Sequence, residues 1–197
     1  MRARWLWGPL LLLAGCGSGP TEPATMPEIP LFTTTTPKPT PRAERKVPRD
    51  CGLVITDDDL AALKVKVGGG TQEVAGVPVP DIKRTARVDC YFGVPSGDRS
   101  KAALIVTLAS YETPAAAQAR VELTIADERE LGAAVTEVAV GPGRGHYIEG
   151  ASRMVVARHG RVTVVVDASP RLLPDDQARR VLPAIADRAL TAPGGGS

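Results

Sequence analysis

The chain has 197 residues, 43% of them hydrophobic and only 4% aromatic. That is enough for one domain with extensions, and its core must be built mostly from Val, Leu, Ile and Ala. The formal charge is +2, and two of the basic residues, Arg2 and Arg4, sit at the extreme N-terminus, so the remainder is near neutral. The composition carries neither the basic footprint of a nucleic-acid binder nor a polybasic segment for anionic lipid.

Arg2 and Arg4 precede an apolar run from Trp5 to Leu13, broken only by Gly8 and Pro9, and the small pair Ala14-Gly15 follows. This is the layout of a secretory signal over residues 1–15. The run is about half of the ~20 residues that a membrane-spanning helix needs. Leu13-Ala14-Gly15-Cys16 resembles the lipobox of bacterial lipoproteins. The resemblance implies diacylglycerol on the Cys16 thiol, cleavage before Cys16 and further acylation of the new N-terminus. Such a chain is lipid-anchored at the extracytoplasmic face of the cell membrane. Two or three acyl chains anchor stably, at ~0.8 kcal/mol per buried methylene.

Residues 16–50 form a low-complexity spacer behind the lipidated Cys16. Pro20, Pro23, Pro27, Pro30, Pro37, Pro39, Pro41 and Pro48 punctuate it, and Thr33-Thr34-Thr35-Thr36 lies between them. Proline removes amide donors and fixes φ, so neither helix nor sheet propagates. Few apolar side chains are present to offset ordering entropy. The expectation is a disordered, semi-rigid tether with polyproline II character, reaching on the order of 100 Å if fully extended. Its Thr-Pro stretch has the composition of glycosylated stalks.

With Cys16 taken by lipid, Cys51 and Cys90 remain. An even pair in an oxidising compartment points to a disulfide. Two cysteines with no nearby His cannot complete a tetrahedral zinc site, and the C-x-x-C spacing of a redox site is missing.

The globular part spans residues 51–191. Thr56 before Asp57-Asp58-Asp59 and Leu60-Ala61-Ala62-Leu63 reads as an N-capped short helix, its acidic triplet suited to the positive end of the dipole. The triplet lacks the alternating ligand spacing of a calcium loop. Gly68-Gly69-Gly70 opens an expected loop that runs through Pro78 and Pro80. Strands follow at Ala86 to Phe92, with Val88, Cys90 and Phe92 on one face, and at Lys101 to Ser110, with Leu104, Val106 and Leu108 on one face. Pro95, Ser96, Gly97 and Asp98 supply the turn between them. Thr113-Pro114 starts a helix that ends at Gly132, with Ala117, Val121 and Ile125 as its apolar stripe. Val135 to Val140 is a strand, and Met154 to Ala157 pairs with Arg161 to Asp167 around a turn at His159-Gly160. A last helix opens at Asp175-Asp176, carries Val181, Leu182, Ile185, Ala189 and Leu190 inward, and should kink at Pro183. The tail, residues 192–197, is expected to be disordered.

The order α-β-β-α-β-β-β-α, with short turns between consecutive strands, predicts an α+β fold: an antiparallel sheet with helices packed on one face. Cys51-Gly52-Leu53-Val54-Ile55-Thr56 before an acidic helix, then Cys90-Tyr91-Phe92, an alanine-rich helix, a Gly-rich segment with Tyr147, a Val hairpin and a final helix make a longer pattern. It resembles a family of cysteine-bridged actinobacterial lipoproteins built on a domain of unknown function. It is similar, more distantly, to the extracellular sensor domains of mycobacterial serine/threonine kinases. The resemblance implies location and fold, and it supplies no catalytic residues.

His146 and His159 are the two histidines. His159 is placed at the hairpin tip. His146 lies in Gly141-Pro142-Gly143-Arg144-Gly145-His146-Tyr147, an expected glycine-rich loop whose backbone permits close approach. Gly143, Arg144, His146 and Tyr147 are therefore the candidate ligand contacts. The segment matches no phosphate loop, and no Ser stands in a G-x-S-x-G elbow. No residue is nominated as catalytic or as a metal ligand, and no cofactor is expected. The expected function is a non-enzymatic binding or sensing module for an envelope component or protein. A carrier enclosing an apolar ligand between sheet and helix is the alternative, and an envelope hydrolase built on a carboxylate pair ranks third.

Overall fold

A computed structural model describes residues 43–191. The expected signal, Cys16, most of the expected spacer and the tail lie outside the described residues. After a 3-10 turn at Cys51–Leu53 the elements are α1 (Asp57–Ala62), β1 (Gly70–Gly76), β2 (Arg84–Val94), β3 (Leu104–Tyr111), α2 (Pro114–Glu130), β4 (Ala134–Val140), β5 (Gly143–Glu149), β6 (Arg153–His159), β7 (Val162–Ala168) and α3 (Asp175–Leu190). The class is α+β, as the sequence predicts. The strands form one seven-stranded sheet in the order β1-β2-β3-β7-β6-β5-β4, antiparallel throughout.

The sheet joins two meanders, β1-β2-β3 and β4-β5-β6-β7, through the β3–β7 ladder. There Leu104 pairs with Ala168, Val106 with Val166 and Leu108 with Val164. Alternation puts Val88, Cys90, Phe92, Leu104, Val106, Leu108, Val155, Val164 and Val166 on one face, where they meet Leu182, Ile185 and Ala189 of α3 and Leu60 of α1. Burial of this stripe is the main source of stability, at ~25 cal/mol per Å² of apolar surface.

The helices do not all gather on that face. Val121 and Ile125 of α2 pack on the opposite one, against Ile148 and Val156, with Met154 and Val165 beside them. The reason is readable in Met154-Val155-Val156-Ala157 and in Val164-Val165-Val166, which are continuous apolar runs rather than alternating ones. Strands apolar on both faces need cover on both.

Two segments expected as loops are strands. β1 is an edge strand of mostly exposed residues, held by the long β2, and its Glu73 carboxylate accepts from the Cys51 amide at 3.2 Å. β5 is glycine-rich for packing rather than for looping. A Cβ at Gly145 would sit 2.8 Å from Val140 Cγ2 and 2.9 Å from Ala157 Cβ, so only glycine fits between β4 and β6. The β6–β7 turn is Gly160-Arg161, with Gly160 at φ 58°, and His159 is the last strand residue, paired with Val162. α3 continues through Pro183, which is buried.

The helix starts follow the expected chemistry. Thr56 Oγ1 accepts from the Asp59 amide at 3.0 Å, and the Asp59 carboxylate accepts from the Thr56 amide at 3.1 Å, a complete capping box. Thr113 caps α2 by accepting from the Ala116 amide at 3.1 Å, with Pro114 in the first helical position.

The folded body begins before Cys51. Glu44 and Arg45, expected in the tether, are tied to the domain. The Arg45 side chain is 6% exposed and donates to the carbonyls of Leu53, Val54, Ala189 and Thr191, which closes the C-terminus of α3. A guanidinium placed there satisfies carbonyls that the helix leaves open. Glu44 accepts from the Arg161 amide at 2.8 Å and from its Nε at 2.7 Å.

Cys51 and Cys90 are disulfide-bonded and buried, with Cα atoms 5.5 Å apart. The bridge ties the turn before α1 to the middle of β2. Replacing both cysteines by Ala should lower the unfolding free energy by about 4 kcal/mol in the chain-entropy model. Urea denaturation of variant and parent checks this; equal midpoints would contradict it.

Candidate functional site

β5 places its residues alternately on the two faces of the sheet. The candidate contacts are therefore divided. Tyr147 points to the α3 side and Arg144 and His146 to the α2 side, while Gly143 is exposed where the strand begins.

Tyr147 is a core residue, 1% exposed. The Arg179 guanidinium lies over its ring, 4.9 Å from the centroid. Its buried hydroxyl has no hydrogen-bond partner among the described residues, and burial raises its pKa.

Arg144 and His146 line an open pocket of about 280 Å³, together with Gln118 and Val121 of α2 and Arg158 of β6. Gly145, Ala157, His159 and Gly160 complete its wall. Arg144 pairs with Glu137 of β4, which lies directly opposite His146 in the ladder. Arg158 Nε donates to Gln118 Oε1, and Gln118 Nε2 donates to Glu122 Oε1 at 2.7 Å. The amide of Gln118 is thus oriented from both ends. Arg158 and Gln118 were not among the sequence candidates. Only the β5–β6 register and the docking of α2 bring them to Arg144.

On the other flank of α2 a cleft of about 260 Å³ is lined by Arg87, Thr107, Arg120, Thr124 and Asp127, among others. At its β2 side the buried Asp89 accepts from Arg87 Nε at 2.8 and 2.9 Å and from Thr107 Oγ1 at 2.6 Å. That bonding raises the proton affinity of the Arg87 guanidinium. The carboxylate is satisfied, as a structural buried charge must be. The second carboxyl on this face, Asp167, pairs with Ile105 in the ladder while Asp89 pairs with Thr107, so β3 lies between the two acids. Neither acid lines the cleft beside α2. A third, shallower groove of about 390 Å³ runs beside Ile82, Ala116, Ala119 and Leu123.

No group of three or more His, Cys, Asp or Glu among the described residues is placed to hold a metal ion. No helix among them is long and apolar enough to cross a membrane.

No family model and no curated protein matches the chain. Among solved structures it is similar to the extracellular domain of PknH from Mycobacterium tuberculosis, with a TM-score of 0.43 and 14% identity over 75% of this chain and 98% of that one.

Two outcomes follow from the buried polar groups. Tyr147→Phe deletes an unpaired buried hydroxyl and should raise stability by about 1 kcal/mol; a loss of that size in urea denaturation would reveal a hidden partner. Asp167 is half-buried, and burial raises its pKa while a hydrogen bond from Ser152 opposes the shift. A raised folded-state pKa means that ionised Asp167 costs stability above that pKa and that the cost fades as pH falls through it. Asp167→Asn should therefore be more stable than the parent at pH 7. The gap should close toward about pH 3, below the ordinary carboxylate range. A gap that is independent of pH would contradict the assignment.

Proposed function

We propose that the chain is an extracytoplasmic binding module, tethered to the membrane by lipid on Cys16. Its ligand contacts lie at Arg144 and His146 on the α2 flank of the sheet. The observation that carries this reading is the convergence of Arg144, His146, Arg158 and Gln118 on one open pocket from three separate elements. A buried disulfide supports an oxidising compartment, in keeping with the lipobox at Leu13-Ala14-Gly15-Cys16.

A binding role is favoured over catalysis because the best-placed carboxylates already serve structure. Asp89 is held by Arg87 and Thr107, and Asp59 closes the capping box of α1. The carrier reading has less support. Under the long helix α2, Val121 and Ile125 pack directly on Ile148 and Val156, and the cleft beside it is open and lined by Arg87, Arg120 and Asp127. Between sheet and α3, Val88, Val106, Leu108, Val164, Leu182 and Ile185, all at 0% exposure, fill the layer.

Two measurements test the proposal. Cys16→Ala should abolish uptake of labelled fatty acid and release the protein from the membrane fraction; persistent labelling would overturn the anchor. Native mass spectrometry of the full chain from its own envelope should show a retained mass that disappears in Gln118→Ala. A bare mass in both would overturn the ligand site.

A further inference from the structure

We propose that the pocket between α2, β5 and β6 takes a phosphate-type anion, a phosphomonoester or phosphodiester. This rests on the reading above that ligand contact occurs there, and it names the chemistry of that contact.

The first argument is charge placement. Gly145 pairs with Ala157 at the end of the β5–β6 ladder. One residue further on stand Arg144 and Arg158, on the same face as His146. Like charges opposite one another across two strands are destabilising. The arrangement gains from an anion between them. Among the described residues Arg144 meets the Glu137 carboxylate, and Arg158 meets the neutral amide of Gln118, behind which stands Glu122. The residues that line the pocket itself include both arginines and no acid, since Glu122 and Glu137 lie outside its wall.

The second argument is geometry. Two guanidiniums and an imidazole stand on two adjacent strands on one face of the sheet, and the Gln118 amide faces them from α2. Such a set suits an anion with three or four oxygens better than a planar carboxylate, and arginine forks bind phosphate in the bidentate mode. Val121 of α2 supplies apolar ground at the pocket wall.

The third argument is the role of Glu137. It is exposed, lies on the edge strand β4 opposite His146, and reaches Arg144 from the pocket rim. It acts as an internal counter-ion that an incoming phosphate displaces from Arg144.

The tether reaches the domain at the same end. Glu44 binds the backbone and side chain of Arg161, next to Gly160 in the pocket wall. A phosphate there can belong to a lipid headgroup of the leaflet or to a soluble or wall-bound phosphoester. Both present the same group.

The test uses the full chain with Cys16→Ser and the disulfide intact. Sodium pyrophosphate is titrated against sodium chloride at equal ionic strength and followed by amide NMR. Saturable shifts are expected at Arg144, Gly145, His146 and Arg158. The double variant Arg144→Gln/Arg158→Gln, at two exposed positions that leave the fold intact, should bind at least about tenfold more weakly, since a charge-assisted hydrogen bond contributes that much or more. Glu137→Gln should bind more tightly than the parent. Absence of saturable shifts, or equal binding by the double variant, overturns the proposal. Vesicles of phosphatidylglycerol and of phosphatidylcholine then identify the source. Recruitment to phosphatidylglycerol alone, lost in the double variant, assigns the phosphate to lipid; pyrophosphate binding without recruitment assigns it to a phosphoester outside the bilayer. A retained native mass that depends on Gln118, with no response to pyrophosphate, overturns the phosphate assignment and leaves the binding module standing.

Discussion

The whole domain depends on the ladder between β3 and β7. It is the one seam that joins the two meanders, and its residues are buried from both sides. Val162, Val164 and Val166 face α3, while Thr163 and Val165 face α2. A strand covered on both faces cannot slip by one residue, because a slip would exchange its two side-chain sets. That fixes the register of the sheet outward in both directions. It sets the position of Arg158 on β6 and, through β6, of Arg144 and His146 on β5.

The two faces are finished differently. On the α3 side an apolar layer closes completely and is fastened at its margin. The disulfide holds the turn at Cys51 to β2, and Arg45 bonds the last carbonyls of α3 and the turn beside it. On the α2 side a single helix crosses a wider face. It covers Ile148 and Val156 and leaves polar ground on either flank, with Arg87 and Asp89 toward β2 and Arg144, His146 and Arg158 toward the β6–β7 turn. The open flanks are where polar side chains can meet a partner, and the closed side explains why the fold tolerates them. Stability comes mainly from the α3 face, and the recognition proposed above falls on the other.

The sequence made some of this legible. Alternation in Val88-Cys90-Phe92, Leu104-Val106-Leu108 and Val162-Val164-Val166 locates three central strands and their inward faces. Thr113-Pro114 and Thr56 locate two helix starts. β1 is not legible because its edge residues Thr71, Gln72 and Glu73 are polar and carry no apolar period. β5 was missed because its glycines look like a loop, although Gly145 is small for close packing between neighbouring strands. The side of the sheet on which α2 lies depends on Val156 and Val165, which local alternation rules do not read. At the candidate pocket, the glycine setting marks Arg144 and His146, which line it. Tyr147 was assigned beside them because a loop does not separate odd from even positions, whereas a strand does. Arg158 and Gln118 come from other elements, and tertiary register alone assembles them.

The central claim is that the α2 flank of the sheet, rather than the α3 side, is the surface that meets a ligand. The most direct test places a photo-crosslinking amino acid at Glu137, exposed beside Arg144, and, separately, at Arg180 on the exposed side of α3, in the full chain in intact cells. Irradiation should give a discrete adduct from position 137 and none from position 180. An adduct from position 180 alone would contradict the account.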